Sequence, residues 1–272
     1  MTRVLLEAAT RAVPRISLAS VSQIGRRRAN EDDLRCGQVE SGWYAVLADG
    51  AGGHRDGAVA SARAVQALEA RSISRMGDWS PQTLDNAMHT ANAEVLVGQD
   101  GRAICDRMLT TLVVLWVDTV RQQALWSHVG DSRLYRLRHR RVDFVTRDDS
   151  VVQDMLDAGL LTAAQAERHP HKNQLVAALG LDGLLEPHTV RQPQPIQDGD
   201  AFLLCSDGWW DSLTPRQICD SLTLAGSPQH WLQLMQDDIR ACSMPYQDNF
   251  SAVALWVGDP HQEPHQESHR GA

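Results

Sequence analysis

The sequence predicts an α+β fold in which β-sheets stack on one another with helices outside. Two observations lead there. Apolar runs of strand length recur, and several are apolar at consecutive positions instead of alternating, so both faces of those strands need cover. The runs come as neighbouring pairs with helical segments grouped after them, which is not the strict strand-helix alternation of a parallel sheet.

Residues 1–14 read as a short helix or mobile arm that stops at Pro14. "WYAVLAD" (Trp43 to Asp49) is the first strand. Ser80-Pro81 then opens a helix, serine serving as N-cap and proline as the first helical residue, after which Leu84, Met88, Ala91 and Val95 share one face. "TLVVLWV" (Thr111 to Val117) and "QALWSHV" (Gln123 to Val129) follow as adjacent strands. Thr162 with Gln165, and Thr214 with Gln217, have the spacing of capping boxes, and "AFLLCSD" (Ala201 to Asp207) is a strand between them. Ser227-Pro228 opens a stretch carrying Trp231, Leu234, Met235 and Ile239, and "SAVALWV" (Ser251 to Val257) is the final strand. The tail, 259–272, repeats Pro-His-Gln-Glu and is expected to be disordered; His261, His265 and His269 recur every fourth residue, but a solvated tail is the preferred reading over a metal site.

Bulk properties exclude several classes. Of 272 residues, 43% are hydrophobic and 22% charged, which suits a soluble globular protein. A net charge of −8, with basic runs no longer than "GRRR" (Gly25 to Arg28) and "RHRR" (Arg138 to Arg141), argues against nucleic acid as a partner. The five cysteines lack paired spacing, which favours a reducing, cytoplasmic setting over a disulfide framework or zinc knuckle. No run approaches the roughly 18 apolar residues of a membrane span, and the first residues lack the apolar core of a signal peptide.

Aspartates close the strands. Asp49, Asp131 and Asp207 end apolar runs, and Asp248 precedes the last one. Singly, Asp49-Gly50 and Asp207-Gly208 are common turn dipeptides. Together, carboxylates at the ends of buried strands repel one another unless neutralised, and too few lysines lie near them in sequence to do it. Divalent cations would neutralise them, and an all-oxygen set without histidine or cysteine favours Mg²⁺ or Mn²⁺ over zinc. In "AVLADGAGGH" (Ala45 to His54), the small residues after Asp49 would let a main-chain carbonyl approach an ion. Cys205 has no activating neighbour in sequence and reads as a small core residue; of Trp209 and Trp210, at least one is expected to pack.

The ordered set "RRANED" (Arg27 to Asp32), "DGAGGHRDGAVAS" (Asp49 to Ser61), "LTT" (Leu109 to Thr111), "HVGDSRLYRL" (His128 to Leu137), "TRDDS" (Thr146 to Ser150), "HKNQLVAALG" (His171 to Gly180), "LLCSDGWWDSL" (Leu203 to Leu213) and "DNFS" (Asp248 to Ser251) resembles the metal-dependent serine/threonine protein phosphatases of the PPM (PP2C) family in their compact bacterial form. The resemblance runs from about Ile16 to Val257 and implies one domain over 15–258, an α-β-β-α four-layer sandwich of two antiparallel sheets flanked by helices.

It also implies roles. Asp49 matches the carboxylate that bridges two metals, Gly50 the carbonyl ligand of one, and Asp207 and Asp248 ligands of the partner ion. Asp131, with Asp207, matches a third and weaker metal site; Asp32 matches a carboxylate that fixes metal-bound water, with Glu31 beside it. Arg27 matches the arginine that grips the substrate phosphate, and His54 the acid that protonates the departing oxygen, although on its own it reads rather as a hydrogen-bonded turn histidine. The implied chemistry is attack by a hydroxide held between two Mn²⁺ or Mg²⁺ ions about 3.5–4 Å apart, without a phosphoenzyme. Partners so implied are a phosphorylated protein and, in bacteria, an opposing serine/threonine kinase; the resemblance extends to phosphatases of type VI secretion, whose substrate is a forkhead-associated domain protein. Ala51 and Ala177 depart from the common pattern, where a larger apolar residue and an arginine are frequent. The alternatives are a catalytically silent binding module, against which Asp49, Asp207 and Asp248 all stand, and a nuclease, which the net charge disfavours.

Overall fold

Strands that are apolar on both faces must lie between layers, and the layers account for every such run. The computed structural model describes residues 13–40, 42–51, 56–71, 79–99, 107–242 and 246–261. In chain order the elements are β1 (Ile16–Gln23), β2 (Asp32–Val39), β3 (Gly42–Asp49), α1 (Gly57–Arg71), α2 (Pro81–Val97), β4 (Leu112–Asp118), β5 (Gln123–Val129), β6 (Arg133–Arg138) and β7 (Arg141–Val145). They continue as α3 (Val151–Asp157), α4 (Ala163–Ala166), β8 (Gln194–Pro195), β9 (Ala201–Cys205), α5 (Asp207–Trp210), α6 (Pro215–Leu224), α7 (Pro228–Ala241) and β10 (Phe250–Val257).

Two antiparallel sheets result, ordered β1-β10-β9-β6-β7 and β2-β3-β4-β5-β8. Successive side chains alternate between faces. On β3, Ala45 and Leu47 therefore meet Val113, Leu115, Phe202, Leu204, Val253 and Leu255 between the sheets, while Val46 and Ala48 turn outward under α1 and α2. On the opposite side, Leu203, Ala252, Ala254 and Trp256 lie beneath Ile218, Leu222, Trp231 and Met235 of α6 and α7. The four-layer α-β-β-α sandwich is thus present.

Capping signals read from the sequence are realised. Ser80 and Ser227 accept hydrogen bonds from the amides of Thr83 and His230 at 3.2 and 3.1 Å, and the Thr214 amide donates to Gln217 Oε1 at 3.0 Å. The Thr162 box also closes, yet the helix it starts, α4, has four residues. Strands β1, β2, β6 and β7 were not expected: each mixes apolar with charged or hydroxyl residues, because β1, β2 and β7 lie at sheet edges. Helix α1 was missed because its buried face is built from Ala60, Ala64 and Ala67 beside Val65 and Leu68, a weak apolar stripe. The run ending at Asp207 is shorter than expected, since β9 stops at Cys205 and a helical turn takes over.

The arm at 1–12 and the tail from 262 onward, with His265 and His269, lie outside the described residues. His261 does not belong to a solvated tail: its Nε2 lies 2.6 Å from the Ala225 carbonyl and its ring centroid 5.9 Å from that of Trp256. Among the described residues, no helix is long and apolar enough to cross a membrane.

The ring of Phe202 is fully buried between the sheets. Phe202→Ala is expected to lower unfolding free energy by about 3–5 kcal/mol, measured by urea denaturation.

Candidate functional site

Pairing of β2 with β3 sets two carboxylates side by side, because Asp32 is the register partner of Asp49 at the end of the ladder. The main chain at that end is held on both sides. The Asp49 amide donates to Thr111 Oγ1 at 2.9 Å, and the Asp49 carbonyl accepts from the Thr111 amide at 2.8 Å and the Thr110 hydroxyl at 2.9 Å. Gly50 follows, its amide donating to the Glu31 carbonyl at 3.1 Å. A Cβ on Gly50 would lie 2.4 Å from the Gly57 carbonyl carbon and 2.9 Å from the Glu31 carbonyl oxygen, so a side chain there is excluded. The bare backbone after Asp49 therefore admits the first turn of α1.

The second sheet supplies Asp207 and Asp248. Ser206 joins the sheets: its hydroxyl donates to Asp32 Oδ2 at 3.0 Å and accepts from the Ser251 amide at 3.0 Å. Next to Asp207, a Cβ on Gly208 would stand 2.1 Å from the Asn249 carbonyl oxygen, so the α5 backbone rests directly on the segment carrying Asp248. Arg27 reaches over the same segment and donates from a terminal guanidinium nitrogen to Asp248 Oδ2 at 2.5 Å. Asn249 positions both: its Nδ2 donates to the carbonyls of Ile24 (2.8 Å) and Ala29 (3.0 Å), and its Oδ1 accepts from the Glu31 amide at 2.9 Å. Although "DNFS" drew attention to this segment, Asn249 had no expected role; asparagine's ability to donate and accept at once is the signal.

Asp131 is buried in the connection between β5 and β6. Around it, Trp210 donates Nε1–H to the Asp131 carbonyl at 2.9 Å, and Arg133 forks onto Asp148 at 2.8 and 2.6 Å. From the segment "HKNQLVAALG", Lys172 pairs with Asp211 at 2.5 Å and Asn173 Nδ2 lies 3.3 Å from Asp207 Oδ2, two contacts that sequence reading did not foresee. Ala177 packs against the helix-covered core. His54 lies outside the described residues.

These carboxylates feel one another. Burial raises the pKa of Asp49 well above its ordinary value, and the charges of Asp32, Asp207, Asp131 and Asp248 raise it further. Asp131 is raised by burial and by Asp207, Asp207 is pushed up to about 7 by burial and then Asp248, and Asp32 to about 6 chiefly by burial. Asp32 Oδ1 is buried without a hydrogen-bond partner. Arg27, conversely, is held charged by its hydrogen bond to Asp248. Among the described residues no three ligating side chains already close on one point. What the site offers is a set of hard oxygen donors with an excess of negative charge and one orphaned buried oxygen, a donor set that suits Mg²⁺ or Mn²⁺.

Cys205 is fully buried and burial pushes its thiol up, so it is a core residue without nucleophilic character. Trp209 is fully buried in the core under α6 and α7, whereas Trp210 is only partly buried against it and donates its indole N–H to the Asp131 carbonyl.

The chain is similar to proteins of known family and fold. A sequence profile of the family described as Protein phosphatase 2C matches residues 21–247. The protein phosphatase PhpP of Streptococcus pneumoniae is 32% identical over 218 residues, covering 76% of this chain and 85% of that protein. The catalytic domain of the serine/threonine phosphatase PstP, solved with two manganese ions, superposes with a TM-score of 0.73 at 28% identity, covering 90% of this chain and 99% of that one. PppA, described as a key regulatory component of T6SS in Pseudomonas aeruginosa, superposes at 0.72 with 30% identity over 90% of this chain and 99% of that one. Asp248 stands one residue beyond the profile match, so its place in the site rests on the contact with Arg27.

Crowded carboxylates cost stability when ionised and uncompensated. Asp49→Asn is therefore expected to raise the thermal midpoint of the cation-free protein at pH 7.5 by about 2–4 °C, roughly 1 kcal/mol. Scanning calorimetry in the presence of chelator measures this; an unchanged or lower midpoint would contradict the charge-crowding account.

Proposed function

The chain belongs to the protein phosphatase 2C family of serine/threonine phosphatases, and on that premise we propose that it hydrolyses phosphoserine and phosphothreonine in proteins with the help of divalent cations. The observation that carries this is the convergence of Asp32, Asp49, Asp131, Asp207 and Asp248 from both sheets, where burial and then mutual repulsion raise the pKa of Asp32, Asp49, Asp131 and Asp207.

Asp49, the Gly50 carbonyl, Asp207 and Asp248 are the residues assigned to hold two Mn²⁺ or Mg²⁺ ions, with Asp131 and Asp207 for a third and weaker one. Such ions, when bound, lower the pKa of water and neutralise charge on a transferring phosphoryl group. The chain's own residues do the rest. Arg27, already beside Asp248, offers a second terminal nitrogen and its planar fork to the phosphate oxygens. Its Asp248 contact holds the half-exposed guanidinium and the Asn249 clamp holds the turn that carries it, so the phosphate meets a pre-placed cation. Asp32, tied down by Ser206, keeps one oxygen free to accept a hydrogen bond from the attacking water. As the water oxygen bonds to phosphorus it gives up a proton to solvent, the ester P–O bond breaks, and the seryl or threonyl oxygen takes its proton from His54. Phosphate-monoester hydrolysis is among the slowest uncatalysed reactions, needing accelerations of up to ~10²¹, so placement of charge has to dominate.

Likeness to PppA, described as a key regulatory component of T6SS, supports a narrower setting in type VI secretion; within that setting the proposal extends to an opposing serine/threonine kinase and a phosphorylated forkhead-associated domain protein as substrate.

Purified protein is expected to hydrolyse p-nitrophenyl phosphate and phosphothreonine peptides, to lose activity in chelator and to regain it on adding Mn²⁺ or Mg²⁺. Activity that survives chelation would reject the cation-dependent reading; inactivity of the folded protein with every cation would leave a binding module. Arg27→Ala is expected to lower kcat/KM on a phosphopeptide about 10²–10³-fold, the size of effect seen when one preorganised donor is removed. Steady-state kinetics checks this.

A further inference from the structure

The turn α5 reaches toward one neighbour with both of its ends. Its first residue is Asp207 and its last is Trp210, which donates to the Asp131 carbonyl. Antiparallel pairing of β6 with β9 runs as far as Arg133 opposite Cys205. Continued by two residues, that ladder would set Asp131 opposite Asp207, but pairing ends there and β9 gives way to the α5 turn. The indole hydrogen bond of 2.9 Å takes over where the ladder stops.

The indole is itself held in place. The Arg133 guanidinium carbon lies 3.7 Å from the Trp210 ring centroid, a cation–π stack, and Arg133 is locked by its fork onto Asp148. The ring stands at the wall of a cavity of about 570 Å³ that Arg133, Asp148 and Lys172 also line, so trimming the indole to a phenyl opens space already present. Trp209, one residue earlier, is packed in the core under α6 and α7 and has an indole N–H that is buried without a partner.

We infer that Trp210 is a positioning residue that fixes the separation of the Asp131 and Asp207 carboxylates, and thereby how tightly that pair holds a divalent cation. This rests on the metal-dependent reading above. Two like charges on separate connections drift apart unless something rigid spans them. Hydrogen bonds that orient metal ligands typically change affinity 10–100-fold when removed.

The test is a titration of the purified chain with Mn²⁺, following free Mn²⁺ by electron paramagnetic resonance, which counts bound ions and sorts them by affinity without any turnover. Trp210→Phe keeps the ring and its stack and removes the N–H. It is expected to weaken the weakest class of site about tenfold and to leave tighter classes unchanged. Trp209→Phe, the same chemical change one residue away, is expected to change none. Wild-type Mn²⁺ binding in Trp210→Phe would overturn the inference, as would a wild-type chain whose bound ions form a single tight class. A wild-type chain that binds no Mn²⁺ would instead sink the metal-dependent reading and this inference with it. Should Trp210→Phe fail to show a folded circular dichroism spectrum, Arg133→Lys serves in its place: losing the fork and the flat stack, it is expected to weaken the same class by less than tenfold, and unchanged binding would again overturn the proposal.

Discussion

Everything at this site follows from negative charge that is buried before it is neutralised. Asp49 and Asp131 are taken out of water among other carboxylates, and their protons are held far more tightly than an ordinary aspartate would hold them. A fold does not gather such groups for stability, since each ionised carboxylate without a partner costs several kcal/mol. The arrangement makes sense as a receptor for positive charge, and the arginine at its rim makes sense as a receptor for what that charge would attract.

The scaffold keeps these groups from relaxing apart. Asp32 and Asp49 come from one sheet, Asp207 and Asp248 from the other, and Asp131 from the connection between the sheets. Joints made of main chain and short side chains tie them together: Ser206 bridging Asp32 and β10, Asn249 clamping the Arg27 turn, and Gly50 and Gly208 allowing backbone to rest on backbone. Short side chains have few rotamers to lose, so such joints hold position at little entropic cost. The hydrophobic layers on either side supply the free energy that offsets the repulsion they enclose.

Much of this was legible residue by residue. Strands apolar on both faces announced a sandwich, and aspartates at their ends announced the carboxylate cluster that the two sheets bring together. Other parts left little trace. Edge strands such as β2 mix polar and apolar residues because one side meets solvent or a loop, and α1 buries alanines whose stripe is too faint to stand out. Asn249 and Trp210 gain their roles through partners more than 70 residues away in sequence, which no local pattern encodes.

By itself, then, the sequence determined the chemistry: which oxygen-bearing side chains exist, that they terminate buried strands, and that hard cations suit them. Which carboxylate faces which was decided by tertiary structure alone, through the antiparallel register that sets Asp32 against Asp49 and stops the other ladder just short of Asp131 and Asp207. The reason is physical: residue types are local properties, whereas a separation between charges on different strands exists only once both sheets have closed over their shared core.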